Sequence, residues 1–410
     1  MPMKLAYVVQ RSNQQGLTGS ELYIQEVATA ICKSATVEVF ATTSKRIVQS
    51  SSSKPARGHV TYHLYPARSL GYPRFVARYM MNRFNLSLAR RFVSRLDDGF
   101  YYSLLYGSTS PKLYESLMRA NVEIVHSVAV PTPAAWIAWK ISVRRGLPFV
   151  INPYLHLGGE ENTLPFVFRM LRNASAVITP TQLERKFIVG QGVDPARVHV
   201  IPDGIVVVGR QLGNGKRFRE KHEIPESDFL VLIPRKEEPK GALHTLRAVE
   251  KVRKKIHGIT VVILGDAIPH VQRMVTELLS KVRDSGVRIL DLGFLPAEEY
   301  RDAISACDVL VEPSCVESLG RVYQDAWLES KPVVAAFSGA IPEVVVNDLN
   351  GILVTYGDVR AIEQALLHLY ESPDIRRRLG DNGNKILRER YEFYSILRKL
   401  EALYQTLIDA

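Results

Sequence analysis

Thirteen short apolar runs alternate with longer stretches of helical spacing along the 410-residue chain, and this alternation limits the fold more than any other feature. Seven lie in the first half, at 4–9, 37–42, 59–65, 122–128, 148–152, 175–180 and 197–202. Six lie in the second, at 229–234, 259–265, 287–293, 308–313, 332–337 and 351–356. Runs such as ITVVILG and PVVAAF are apolar at consecutive positions, so both faces of such strands must be covered. Strands of that kind, spaced by helices, belong to parallel sheets with helices on each side. Two such series, each with an early glycine-containing loop, predict an α/β protein of two doubly wound domains.

The segment 202–227 is rich in glycine and charge and needs no strand, so the domain break is expected there. The expected division is 1–203, 204–385 and a terminal helix over 386–410, where helical spacing continues with no strand after it. No run of eighteen apolar residues exists, which excludes a spanning helix, and Met1 leads almost at once into a strand, which argues against a signal peptide. Cys32, Cys307 and Cys315 are scattered without a CxxC pair, pointing to a reducing, cytoplasmic setting. Of the net charge of +11, the window from Lys45 to Leu105 carries +9, with eleven basic residues against Asp97 and Asp98. That window contains no nucleic-acid recognition module, so no nucleic-acid partner is expected.

Charged residues concentrate where strands hand over to helices. In EPSCVESLGRVYQD (312–325), Glu317 and Asp325 bracket Gly320 at the end of a strand. Carboxylates there can accept hydrogen bonds from vicinal hydroxyls, and a glycine admits a close-lying phosphate or sugar. A surface loop followed by a solvated acid fits the spacing equally well. Arg235 and Lys240 flank the turn after FLVLIP and can neutralise a diphosphate. The alternative is a solvated run in which Glu237 and Glu238 pair with them. Replacing either cation is expected to leave fold stability almost unchanged. His156 lies in a loop before Gly158 and Gly159, whereas His126, at a strand end, reads as structural. No Asp-x-Asp motif stands in a suitable loop and no His/Cys cluster has ligand spacing, so no metal is expected.

PSCVESLGRVYQDAWLESKPVVAAFSGAIPEVVVNDLNGILV (313–354) resembles the signature block of family 4 glycosyltransferases. TGSELYIQEVA (18–28), AVITPTQLERKFIVGQGVDPARVHVIPDG (176–204), LIPRKEEPKG (232–241) and LGD (264–266) resemble further family motifs, in the family's order. The resemblance implies the GT-B fold, two Rossmann-like domains facing a cleft. The first would lie on the acceptor side, the second would bind the nucleotide sugar, and the terminal helix would pack back on the first.

The resemblance also implies roles. Glu317 would hold donor-sugar hydroxyls, and Asp325, where the family usually has Glu, the ribose hydroxyls. Arg235 and Lys240 would hold the diphosphate, with Pro234 replacing the usual glycine. His156 would contact the donor sugar near the reacting carbon. Further donor contacts would come from Gly16, Gly19, Ser318, Leu319, Gly320, Arg321, Gly293 and Leu295. The implied reaction is retaining, metal-independent transfer of a hexosyl group from a UDP- or GDP-linked donor, with no cofactor, to a glycan or lipid-linked acceptor. A nucleotide-sugar epimerase and an inactive binding subunit are the alternatives. In the basic window Phe84, Leu88, Phe92 and Leu96 recur at spacing four beside six arginines. Residues 74–96 are therefore read as a peripheral contact with the inner face of a membrane, against an ordinary packed helix.

Overall fold

The structure, a computed structural model, describes residues 2–11, 19–43, 58–66, 109–157, 164–207, 209–266, 269–284 and 286–410. All thirteen apolar runs are strands. The first seven are β1 (Lys4–Arg11), β2 (Thr36–Thr43), β3 (Val60–Pro66), β4 (Ile124–Val128), β5 (Phe149–Asn152), β6 (Ala176–Thr179) and β7 (Val198–Val200). The next six are β8 (Phe229–Ile233), β9 (Ile259–Leu264), β10 (Arg288–Gly293), β11 (Val309–Glu312), β12 (Val333–Ala336) and β13 (Ile352–Val354). They build two parallel sheets, ordered β3-β2-β1-β4-β5-β6-β7 and β10-β9-β8-β11-β12-β13. The chain forms two compact units, Met1–Pro202 with Ile396–Ala410, and Asp203–Ser395. Each is a Rossmann-like sheet with flanking helices.

In the second unit every residue of β8, β9 and β11 is buried, as strands covered on both faces must be. The strand order reverses between β8 and β11, which pair through Val231↔Val309 and Leu232↔Leu310. That register brings out Pro234–Arg235 and Glu312–Pro313 side by side at the carboxyl ends. Open doubly wound sheets bind ligands at such a reversal. The helix Arg321–Leu328 follows, packing Tyr323 and Trp327 into the core. Gly320 precedes it with φ +82, and a Cβ there would lie 2.4 Å from the Tyr323 ring, so no larger residue fits the turn.

The terminal segment departs from expectation. In place of one helix over 386–410, a helix Pro373–Arg390 ends and a second, Phe393–Asp409, begins. The break occurs because Tyr391 O accepts from Ile205 N at 2.8 Å and Phe393 N donates to Ile205 O at 3.1 Å, diverting both groups from a helical ladder. The Glu392 carboxylate then caps the new helix, accepting from Tyr394 N at 3.0 Å and Ser395 N at 2.7 Å. From Ile396 the chain belongs to the first unit, where buried Tyr404 lies 3.0 Å from the Tyr7 hydroxyl and 2.6 Å from His126 Nδ1.

Candidate active site

Arg235 leaves β8 and turns onto two carboxylates. Its Nε donates to Glu312 Oε2 at 2.8 Å, and its Nη2 donates to Glu312 Oε1 and, at 2.7 Å, to Glu317 Oε1. Lys240 Nζ donates to the same Glu317 oxygen and to Val316 O at 3.3 Å. Glu312, Lys240 and Glu317 are 1%, 7% and 8% exposed, so one cation and two carboxylates are almost out of water, while Arg235 reaches them from a partly exposed position. Glu237 and Glu238, the partners offered by the solvated-run reading, are instead exposed.

The loops that present these groups are tied together. Cys315 N donates to Pro239 O at 2.8 Å, and Ser314 Oγ lies 3.1 Å from Pro239 O and 2.9 Å from Val316 O, so its one proton can be given to either. Beneath them the Tyr323 hydroxyl donates to Glu312 O at 2.8 Å. Burial alone would raise the Glu317 carboxyl, but Arg235 and Lys240 outweigh it and hold it at about 2. Burial raises the Glu312 carboxyl, opposed by Arg235. Burial works against the Arg235 charge as well, yet Glu312 and Glu317 push that guanidinium well above its ordinary range. Arg235 Nη1 donates to no described residue, although the side chain is 36% exposed, and Lys240 keeps a third N–H. Such remaining donors suit an anion with several oxygens.

Other expected residues fall around this cluster. Asp325, on the helix Arg321–Leu328, accepts from the Tyr300 hydroxyl at 3.4 Å, and Arg210 Nη2 lies 3.6 Å from it. Gly293 ends β10 with φ +61, and its carbonyl accepts from Gly265 N at 2.8 Å. Lys236, only 3% exposed, reaches from the β8 loop to Asp291 on β10. Ser318 and Arg321 are partly buried, and Leu295 packs against the second unit's core. The Leu319 side chain lies inside that core at 3% exposure, which leaves only its backbone for a ligand.

His156 belongs to the first unit, exposed beyond β5, and Leu155 N before it donates to Glu184 Oε1 at 2.8 Å. Gly19 opens the exposed start of the helix Gly19–Ile31. Gly16, Gly158, Gly159 and the segment 74–96, for which a membrane contact is expected, lie outside the described residues. His126 is structural: buried, with Nε2 2.7 Å from Asn152 Oδ1, its imidazole is lowered by burial to about 4 and stays neutral. Sequence reasoning missed Glu312, Lys236, Tyr300, Tyr323 and Arg210. Only Glu312 had a signal, as an acid closing the otherwise apolar VLVE.

Residues 18–204 match the glycosyl transferase 4-like domain, and residues 214–386 match glycosyl transferases group 1. The chain belongs to the group 1 glycosyltransferases. An α-maltose-1-phosphate synthase of Mycolicibacterium smegmatis is 26% identical over 324 residues, 71% of this chain and 83% of that protein. The GDP-mannose-dependent α-(1-6)-phosphatidylinositol monomannoside mannosyltransferase of the same species is 28% identical over 250 residues, 58% of this chain and 60% of that protein. With several other curated relatives the match spans about half of their length, at 44%, 50% and 55%. Anabaena HepE in complex with UDP-glucose superposes with a TM-score of 0.73 at 19% identity, covering 98% of this chain and 100% of that one. That likeness identifies this group 1 glycosyltransferase as a GT-B protein in fold.

Proposed function

We propose that the chain transfers a sugar from a UDP- or GDP-linked donor to an acceptor hydroxyl, with retention at the anomeric carbon and without a metal. The buried Arg235–Glu317–Lys240 cluster at the strand-order reversal carries this reading. In it the second unit holds the nucleotide sugar and the first serves the acceptor. Arg235 and Lys240 neutralise the diphosphate as the bond to the sugar lengthens, the charge compensation a divalent ion would otherwise supply. The sugar passes through an oxocarbenium-like state. Glu317 and His156 hold its hydroxyls, and Asp325 holds the ribose. The acceptor oxygen bonds the anomeric carbon on the face the phosphate leaves, and a departing phosphate oxygen takes the acceptor's proton. Gly19, Gly293, Leu295 and residues 318–321 line the donor through backbone or partly buried groups.

For the acceptor, a glycan precursor or lipid-linked sugar is the reading, supported by the mannosyltransferase relative named for a phosphatidylinositol glycan. Among the described residues no helix is long and apolar enough to cross a membrane. A peripheral cytoplasmic contact through 74–96 completes the proposal, supported by the charge of that window.

Thermal unfolding against a panel of nucleotides and nucleotide sugars tests the donor: a true one at a hundred times its dissociation constant should stabilise by about 2.7 kcal/mol. Glu317→Gln should lose transfer yet keep affinity for the bare nucleotide, while Asp325→Ala loses that affinity as well. An inverted product, turnover abolished by a chelator, or epimerised sugar released from donor alone would overturn the proposal.

A further inference from the structure

Asp325 faces two groups that no motif includes. The Tyr300 hydroxyl donates to its Oδ2 at 3.4 Å, and Arg210 Nη2 lies 3.6 Å from its Oδ1. Both charged side chains are partly buried, Arg210 at 20% exposure and Asp325 at 13%. Burial first, then the adjacent Asp325, pushes the Tyr300 phenol well above its ordinary range, so it remains a donor. Arg210 is carried on a strap fastened to its own unit. Gly213 N donates to Glu329 Oε1 at 2.8 Å, Asn214 N to Asp302 Oδ1 at 2.7 Å, and Arg217 Nε to Asp302 Oδ2 at 2.7 Å. The chain is thus anchored from three residues beyond Arg210, and the guanidinium itself is held beside Asp325.

We infer that Arg210 is a specificity-determining residue of the nucleotide site, reading one ribose hydroxyl jointly with Asp325. The inference rests on the proposed nucleotide-sugar reading and extends it to a segment outside the family motifs. A hydroxyl is a donor and an acceptor at once. The Asp325 carboxylate can only accept its proton, whereas Arg210 can only donate to its oxygen, so the pair satisfies both halves. The aspartate also acquires a reason. The Tyr300 hydroxyl and Arg210 meet different oxygens of the carboxylate, and a glutamate, one methylene longer, would shift both oxygens relative to them. A site that spends buried polar groups on a hydroxyl rejects analogues lacking it, because those groups are then left unpaired.

Calorimetric titration of the full chain with UDP, GDP and their 2′-deoxy and 3′-deoxy forms tests this, with thermal unfolding of each variant as the folding control. The wild type should prefer ribonucleotide over one deoxy analogue by ~10-fold or more. In Arg210→Gln the ribonucleotide should weaken by ~10-fold while that deoxy analogue binds almost as before, so the preference collapses. Arg210→Lys, which keeps a donor without the fork, should retain part of it. Equal weakening of both nucleotides in a folded variant would make Arg210 merely structural and overturn the inference. So would losses that scale with phosphate number across uridine, UMP and UDP at constant preference, the behaviour of a phosphate ligand. A wild type that binds no nucleoside diphosphate would instead overturn the underlying reading of the site.

Discussion

Removing Arg235 takes away more than the proposed diphosphate contact, because its guanidinium closes the carboxylate of Glu312, which is 1% exposed. Arg235→Ala and Lys240→Ala should each cut turnover by ~10²-fold. They should differ in stability. Arg235→Ala leaves a buried acid without its fork of donors and should cost about 1–3 kcal/mol in urea unfolding. The sequence-based expectation of unchanged stability is therefore replaced for Arg235. Wild-type stability in that variant would mean Glu312 rids itself of its charge at no cost. Glu317, Arg235 and Lys240 were readable beforehand because each follows a strand at a turn, where charge has little structural use. The rest was less legible: Glu312 shows only as an acid closing an apolar strand, and Arg210, which meets Asp325, lies in a segment without periodicity. Which acid meets which cation is decided by strand order, and strand order is a tertiary fact.

Strands were the most legible elements, since the central strands of each sheet are buried on both faces and apolar runs leave few other readings. The end of the helix Pro373–Arg390 was not legible, because its cause is Ile205, far away along the chain. The same helix carries Gly380 and Gly383 in its interior, against helix propensity. The reason is close approach: a Cβ on Gly383 would lie 2.1 Å from Trp327 Cδ1, and one on Gly380 1.9 Å from Ser330 O. Gly383→Ala improves propensity by ~1 kcal/mol, but overpacking against a fully buried indole costs ~1–3 kcal/mol. Denaturant titration should show a net loss; a more stable variant would mean the two helices separate freely.

At the scale of the molecule, the units should weaken in different pH windows. In the first, His126 is lowered from 6.5 to about 4, so the unfolded chain binds its proton more readily. That unit should lose stability as pH falls from about 6.5 to about 4, with no further loss from this group below. In the second, Glu317 is lowered from 4.5 to about 2, and its contribution, complete above 4.5, is lost as pH falls towards 2. Hydrogen exchange resolved by unit at pH 7, 5 and 3 should show the first unit yielding before the second. His126→Gln should flatten the earlier slope and Glu317→Gln the later one, whereas parallel loss in both units would contradict this. The pairing of Tyr404 with Tyr7 and His126 also bears on how the chain is made. A ribosome releases every residue of the second unit before it releases the last helix of the first. Of these two units the one begun first is thus finished second, its core polar groups waiting for partners until that helix emerges, and this interval is where a nascent chain would most need a chaperone.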